Sequence, residues 1–477
     1  MSGPSDPQSE VDSEQSNSSV RNRVEGLVSH MRGGGLRART LRGASWTTIG
    51  FGAQQVLRLG SNLVLTRLLV PEHFGLMALA QVFSQGLAML SDIGVGPSIV
   101  QNPRGDDPDF LATAWTMQVI RGFTLALGMC LLAYPASLFY EEPILFPLLL
   151  LVSIGSVIKG FQSIGIPTAT RSMQLGRLAI VDFISHCIGI IAMIVWAYFS
   201  PDVWALVGGG IIAAVFRLIL GYSMLPSKGS RFHFERDAAG QIFHFGKWIF
   251  LATAMTYFGG QGLRLIQGSL VSMTVLGMIA IAGSIAMPAR IVIDRIVGGV
   301  LFPAFAEINR KDPDRFVERV RQTRFRVILA IFPFFLICIL FGQHIIAFLY
   351  DSRYHQAGIY FVILSTSTAI RLMRVFFAET MFVKDDSYGH AFVMFFNSGL
   401  HILGVVFGYL IGDIIGMLWG GVVAELLIYP LAVLRVRRHR VWVPSIDLLM
   451  IVVYVSLAGY ITYRHLLATG VTEGGIG

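Results

Sequence analysis

Thirteen apolar runs, each about the length a helix needs to cross a bilayer, follow one another with only short charge-bearing breaks between them. They fall near residues 44–66, 74–98, 111–135, 144–167, 178–199, 203–225, 246–268, 275–302, 327–349, 358–382, 388–411, 413–434 and 446–468. About 20 apolar residues in helical form span the hydrocarbon. In lipid, only a helix or a closed barrel satisfies its own backbone. Runs this long read as helices, so the expected fold class is all-α and polytopic. Composition agrees, because 54% of residues are hydrophobic and 14% charged, which leaves too little polar surface to cover a soluble core. Cys130, Cys187 and Cys338 lie inside apolar runs, with no disulfide framework or metal-ligand spacing.

The loops sort by charge. Arg32, Arg37, Arg39 and Arg42 precede span 1, Arg171 and Arg177 follow span 4, and Lys228, Arg231, Arg236 and Lys247 follow span 6. Arg310, Lys311, Arg315, Arg319, Arg321, Arg324 and Arg326 follow span 8, and Arg435, Arg437, Arg438 and Arg440 follow span 12. The alternate loops are nearly bare, as in EEP (141–143), SPD (200–202) and GD (412–413). Basic loops stay inside, so the N-terminus is expected in the cytoplasm and the C-terminus outside. The net charge of +8 is therefore a topology signal and does not point to nucleic acid. Residues 1–20 are polar and acidic, unlike a signal peptide. The first 43 residues read as a disordered cytoplasmic tail, and Met31, at the head of a basic flank, is a second candidate start.

An internal repeat runs through the spans. RLLVPEHFGLMALA (67–80) aligns with SLVSMTVLGMIAIA (269–282), placing Leu68, Gly75, Ala78 and Ala80 on Leu270, Gly277, Ala280 and Ala282. The same step carries Asp92 onto Asp294 and Gly96 onto Gly298. Later, SLFYEEP (137–143) resembles AFLYDSR (347–353), and VGGGIIAA (207–214) resembles LWGGVVAE (418–425). Six spans per repeat is an even number, so both copies enter from one side, as a parallel repeat with a path expected between the lobes. This divides the chain into lobes at 44–225 and 246–440, a linker at 226–245 and an additional span in 441–477.

Charged residues inside the spans are the candidate functional groups, since each costs about 2.5–3.5 kcal/mol at mid-bilayer on the insertion scale. Asp92 and Asp294 fit a gate or coupling role, with a structural cap or ion pair as the competing reading. Gln54, Gln55, Arg58, Ser61, Asn62 and Thr66 recur along span 1 at helical spacing, and Gln54, Gln55 and Asn62 are expected to line a wet interior. Arg121 and Arg217 add charge in spans 3 and 6. Arg290 and Arg295 lie in span 8, Arg371, Arg374 and Glu379 in span 10, and Glu425 in span 12. Arginine outnumbers carboxylate, and its forked donors match phosphate oxygens. Arg58, Arg290, Arg295, Arg371 and Arg374 are accordingly the candidate anion-binding set. Arg290 and Asp294, four apart, can pair on one helix, and Pro288 can bend it. No Walker loop, HExxH, paired CxxC or GxSxG is present, and the outer loops are too short for the catalytic domain of a membrane glycosyltransferase or polymerase.

The segment LTRLLVPEHFGLMALAQVFSQGLAMLSDIGVGPSIVQNP (65–103) resembles the opening of bacterial polysaccharide transporters. These are oligosaccharide flippases of the multidrug/oligosaccharidyl-lipid/polysaccharide exporter superfamily. The likeness continues in FHFGKWIF (243–250) and GGVLFPAFAEINR (298–310). It implies two six-helix lobes in a V with one or two extra C-terminal helices, and alternating access. It also implies transfer of a polyprenyl-diphosphate-linked oligosaccharide from the cytoplasmic to the periplasmic leaflet of a bacterial inner membrane, for exopolysaccharide or O-antigen-type synthesis. The partners implied are membrane lipid, the lipid-linked oligosaccharide, and the polymerase and glycosyltransferases of the same pathway. No cofactor or metal is expected, and the coupling ion, proton or sodium, stays open. Where relatives often carry an aspartate before the arginine of span 7, Leu263 stands here. A cation-coupled multidrug antiporter of the same superfamily is the alternative, and the arginine excess argues against it.

Overall fold

A computed structural model describes residues 36–225 and 229–469, and these are helical almost throughout, with no strand among them. The expected tail over residues 1–35, Met31 within it, and the last eight residues lie outside the described region. The first lobe comprises α1 (Leu36–Leu68), α2 (Pro71–Leu90), α3 (Val95–Gln101), α4 (Pro108–Phe139), α5 (Leu145–Gly160), α6 (Gly165–Arg171), α7 (Leu175–Phe199) and α8 (Val203–Met224). The second comprises α9 (Arg236–Gly260), α10 (Gly262–Leu270), α11 (Met273–Ile296), α12 (Phe302–Lys311), α13 (Pro313–Leu349), α14 (Ala357–Val383) and α15 (Ser387–Val436). A last helix, α16 (Pro444–Thr469), follows.

Among the described residues, nine helices are long and apolar enough to cross a membrane, or ten when the bent pair α5–α6 counts as one span. The rest of the expected thirteen have physical explanations. α15 is two spans, because Gly412 and Asp413 leave helical geometry and reverse the chain. Its arms then pack backbone to backbone: a Cβ on Gly404 would stand 2.3 Å from the Gly420 carbonyl oxygen, and one on Gly408 2.2 Å from that of Gly416. Small residues at this spacing are what close helix approach in lipid requires. α1 and α9 carry too many polar residues to qualify by hydropathy. Large apolar side chains such as Leu131, Phe199, Leu410, Ile411 and Val452 stand exposed on the helices that do qualify, as lipid-facing residues should.

Four boundaries depart from the sequence expectation. Residues 36–43, expected to belong to the tail, are helical and part of α1. Helix α9 begins at Arg236, inside the expected linker, and ends in the GGQG stretch, beyond which α10 continues. The span expected at 74–98 breaks after Leu90, where Gly94 takes a left-handed conformation (φ 66°). The span expected at 275–302 stops being α-helical at Ile296 and passes through a π-turn, Val297–Leu301, into α12.

The two lobes touch through repeat-equivalent residues. A Cβ on Gly75 would meet the Met273 carbonyl oxygen at 1.9 Å, and one on Gly277 the Pro71 carbonyl oxygen at 1.8 Å. Pro71 and Met273, like Gly75 and Gly277, are separated by the step that aligns the repeats. The contact is therefore reciprocal, as a two-fold relation between lobes demands. It lies at the end of the bundle with bare loops. Tyr354 Oη donates to the Leu69 carbonyl (2.8 Å) and Tyr140 Oη to that of Leu265 (3.1 Å) at the same end. At the opposite, basic end, α9 crosses to the first lobe. Arg104 binds Glu235 (2.8 Å) and Asn102 binds Gln241 (2.9 Å), while Gly246 packs against the Ile93 carbonyl.

Candidate functional site

Three of the candidate arginines meet in one cleft of the second lobe. Its volume is about 170 Å³, and it is lined by Arg290 and Asp294 from α11, by Arg371 and Arg374 from α14, and by His390 and Asn397 from the first arm of α15. Arg371 and Arg374 share a face because they are three residues apart on a helix. Counting along α11 and α14 from the bare end puts the arginines roughly 20–25 Å down each helix, in the half nearer the basic loops.

Each arginine has a different degree of neutralisation. Arg290 Nε lies 3.4 Å from Asp294 one turn along its own helix. Arg374, almost fully buried, donates to Asn397 Oδ1 (3.0 Å) and forms a short ion pair with Glu425 from the second arm of α15. Arg371 keeps 34% of its side chain exposed, and its Nη1 stands 3.9 Å from Glu425. His401 completes the group, with Nε2 3.3 Å from Glu425 Oε1 and Nδ1 2.9 Å from the Asn397 carbonyl. A carbonyl only accepts, so Nδ1 is the donor there, and attraction between Nε2 and the carboxylate requires a proton between them. Three guanidinium groups and one carboxylate, Asp294, line the cleft, so its lining is net cationic, while Glu425 and Glu379 stand behind that lining.

The other expected residues fall elsewhere. Arg295 stacks over the Phe51 ring of α1 at 3.7 Å, within reach of a cation–π attraction. Arg58 stands exposed on α1, with no ion pair among the described residues. Asn62 joins the lobes by donating to Ser284 Oγ (3.2 Å). Gln54 and Gln55 are half-buried, and Gln55 Nε2 has no partner among the described residues. Asp92 sits in the break after α2, where it accepts the Gly94 N–H (3.0 Å) and faces Arg121 at 3.8 Å. Arg121 also donates to Ser91 Oγ (3.1 Å) and the Ala88 carbonyl (2.6 Å), capping the end of α2. Asp294 lies on an unbroken helix turn, so the repeat-equivalent aspartates have unlike surroundings.

Sequence reasoning missed two groups. His401 and Asn397, four apart on one arm of α15, were visible only as a polar spacing inside an apolar run. Arg324 counted as a basic loop residue, yet it is 1% exposed and pairs at 2.5 Å with Asp447, which is fully buried. Tyr429 also donates to Asp447, and the Arg324 guanidinium lies 4.5 Å over the Phe377 ring. This cluster ties α16 to α13, α14 and α15.

Residues 64–358, more than half of the chain, match a family model described as polysaccharide biosynthesis protein. The chain belongs to that family. Over 275 residues it is 24% identical to the lipopolysaccharide biosynthesis protein WzxC of Escherichia coli (strain K12), covering 57% of this chain and 56% of that protein. It is 22% identical over 275 residues to the succinoglycan biosynthesis transport protein ExoT of Rhizobium meliloti (strain 1021), covering 57% and 55%. The match thus spans about half the length of these curated relatives. In fold, this family member is similar to the lipid II flippase MurJ in its inward closed conformation. The TM-score is 0.62 at 14% identity, covering 88% of this chain and 99% of that one. It is also similar to an inward-facing multidrug resistance MATE family transporter of the MOP superfamily, with a TM-score of 0.59 at 14% identity over 81% and 95%. The family member therefore has the fold of that exporter superfamily, as the sequence led one to expect.

Proposed function

We propose that the chain carries a polyprenyl-diphosphate-linked oligosaccharide from the cytoplasmic to the periplasmic leaflet of a bacterial inner membrane, by alternating access of its two lobes. The observation that carries this reading is the cationic cleft of Arg290, Arg371 and Arg374. Guanidinium groups remain charged at membrane depth and bind phosphate oxygens through paired N–H donors. A diphosphate fits such a site, whereas a cationic drug is repelled by it. The cleft lies in the half of the bundle nearer the basic loops, which the positive-inside rule assigns to the cytoplasm. Loading from that side follows, with the N-terminus cytoplasmic and the C-terminus outside. The reciprocal Gly75–Gly277 contact closes the far end while the lipid tail remains in the bilayer.

Arg58, exposed and without an ion pair, and Arg295 serve in this reading as further anchors for the head group, and Gln54, Gln55 and Asn62 as its polar lining. Asp294, at the edge of the cleft, is the gate or coupling residue, with a proton or sodium ion as the coupling species. The paired and hydrogen-bonded surroundings of Asp92 favour a strut at the end of α2. Glycosyltransferases would supply the lipid-linked glycan and a polymerase would consume it.

The test is export in a strain lacking the chain and any redundant transporter. Wild-type protein restores surface polysaccharide. Arg371→Ala, at equal expression, lowers it about tenfold, the loss expected for a charged hydrogen bond, with lipid-linked oligosaccharide retained facing the cytoplasm. Undiminished export by Arg371→Ala would contradict the reading. An unchanged lipid-linked pool in the deletion strain, with new drug sensitivity, would favour the antiporter.

A further inference from the structure

Glu425 is buried to 0% exposure beside a cleft whose ligand, on the reading above, is itself an anion. Its Oε2 is held by Arg374, while its Oε1 faces His401 Nε2 at 3.3 Å and Arg371 Nη1 at 3.9 Å. Arg374 is buried and its Nη2 donates to both Glu425 and Asn397. Arg290 has Asp294 on its own helix. Arg371 is the most exposed of the three, at 34% against 29% for Arg290 and 7% for Arg374, and its contact with its counter-ion is the longest, at 3.9 Å and with no hydrogen bond. It is thus the arginine freest to turn toward a ligand, and Glu425 is the charge it must leave to do so.

We infer that Glu425 is a resident counter-anion that takes back Arg371 between transport cycles, weakening the hold of the cleft on its phosphate ligand so that the ligand can leave. The inference rests on the reading that the ligand is a lipid diphosphate. A carrier needs binding strong enough to load and weak enough to unload. Three uncompensated arginines would satisfy only the first requirement. A carboxylate within reach of both Arg371 and Arg374 supplies the second, because every ligand phosphate competes with it. Glu425 does not touch the ligand, so it is a positioning residue acting through Arg371. His401 holds the other side of the Glu425 carboxylate and keeps it aimed between the two helices.

The experiment measures binding of polyprenyl diphosphate, and separately of inorganic pyrophosphate, to purified full-length protein, with melting temperature recorded for each variant. Flipping of polyprenyl diphosphate in liposomes gives kcat and KM. Glu425→Gln is expected to bind about fivefold tighter, the gain from releasing Arg371 from a long ion pair worth about 1 kcal/mol, with lower KM and lower kcat together. A purely structural role would instead lower melting temperature and affinity in parallel. Glu425→Asp keeps a charge beside Arg374 but withdraws it from Arg371. Its affinity should lie between wild type and Glu425→Gln, and it carries the test if the glutamine variant does not fold. A folded variant of either kind that binds no tighter than wild type overturns the counter-anion role while leaving the diphosphate reading intact. Wild-type protein that binds pyrophosphate but not polyprenyl diphosphate overturns the lipid reading, and the same variants then decide the role of Glu425 on pyrophosphate. Binding of neither probe overturns both.

Discussion

The two lobes place an ion cluster on corresponding helices and use it differently. In the first lobe, Arg217 of α8 binds Asp182 of α7 at 2.7 Å and Gln162, just past α5, at 2.5 Å, with about a third of each charged side chain exposed. In the second, the last helix of the repeat supplies the carboxylate instead. Glu425 pairs with Arg374 of α14, with His401 alongside, and the pair is buried. The first lobe sets Arg217 against Asp182, with Lys159 of α5 within electrostatic reach of Arg217. The other packs three arginines round Asp294 and Glu425 and keeps a cleft beside them. The leading helices differ in the same sense. α2 snaps at Ser91–Gly94 and Arg121 seals its end, whereas α11 stays helical through Asp294 and loosens only into a π-turn. The same architecture thus carries a half-open ion pair in one copy and a buried ion cluster beside a cleft in the other.

Removing carboxylates should separate the lobes most clearly. Glu425→Ala leaves Arg374 as a buried, uncompensated cation and should cost about 3–5 kcal/mol, read as a large fall in melting temperature in detergent. Asp182→Ala, in the half-open cluster, should cost no more than about 1 kcal/mol. Equal losses would break the comparison. A similar penalty awaits Asp447→Ala, which strands Arg324. The double change Arg324→Met with Asp447→Leu should recover most of that loss, since well-packed apolar pairs often replace buried ion pairs without penalty.

The reciprocal contact predicts symmetry in place of asymmetry. Gly75→Val and Gly277→Val should each force the lobes apart, at about 1–3 kcal/mol for overpacking. They should impair export to similar degrees in the complemented deletion strain. A strong effect of one without the other would show that the two-fold relation is not used in transport.

The smallest expected effect concerns the join between the lobes at the basic end. Hydrogen bonds from Arg104 hold the carboxyls of Asp107 and Glu235 below their ordinary ranges. Groups with depressed values stabilise above the unfolded pKa and lose that contribution as pH falls. The attachment of α9 to the first lobe should therefore be complete above about pH 5 and loosen below about pH 4. Faster hydrogen exchange over residues 229–245, beyond the intrinsic pH trend, would register it. Arg104→Gln should abolish that pH dependence.

The membrane character and the repeat were legible because both rest on long periodic patterns, and the step that aligned Gly75 with Gly277 is the same step found across the lobe contact. Arg290, Arg371 and Arg374 were legible as charges too costly to be incidental. Their grouping was not, since it depends on which faces of α11, α14 and α15 meet. Arg324 was misread because a 37-residue helix carries it from a basic loop into the packed interior, where Asp447 waits 123 positions later. Asp92 looked like a mid-span charge only because the break at Gly94 is set by one left-handed residue, which no apolar count detects.

The most direct measurement is the leaflet distribution of lipid-linked oligosaccharide in cells lacking the chain, complemented in parallel by wild type, Arg371→Ala and Arg217→Ala at matched expression. The account predicts that wild type clears the cytoplasmic leaflet, that Arg371→Ala leaves the lipid there, and that Arg217→Ala stays close to wild type. Clearance by Arg371→Ala, or an equal block by Arg217→Ala in a folded protein, would contradict the claim that the arginine cluster of the second lobe, and not the Arg217 cluster of the first, holds the anion.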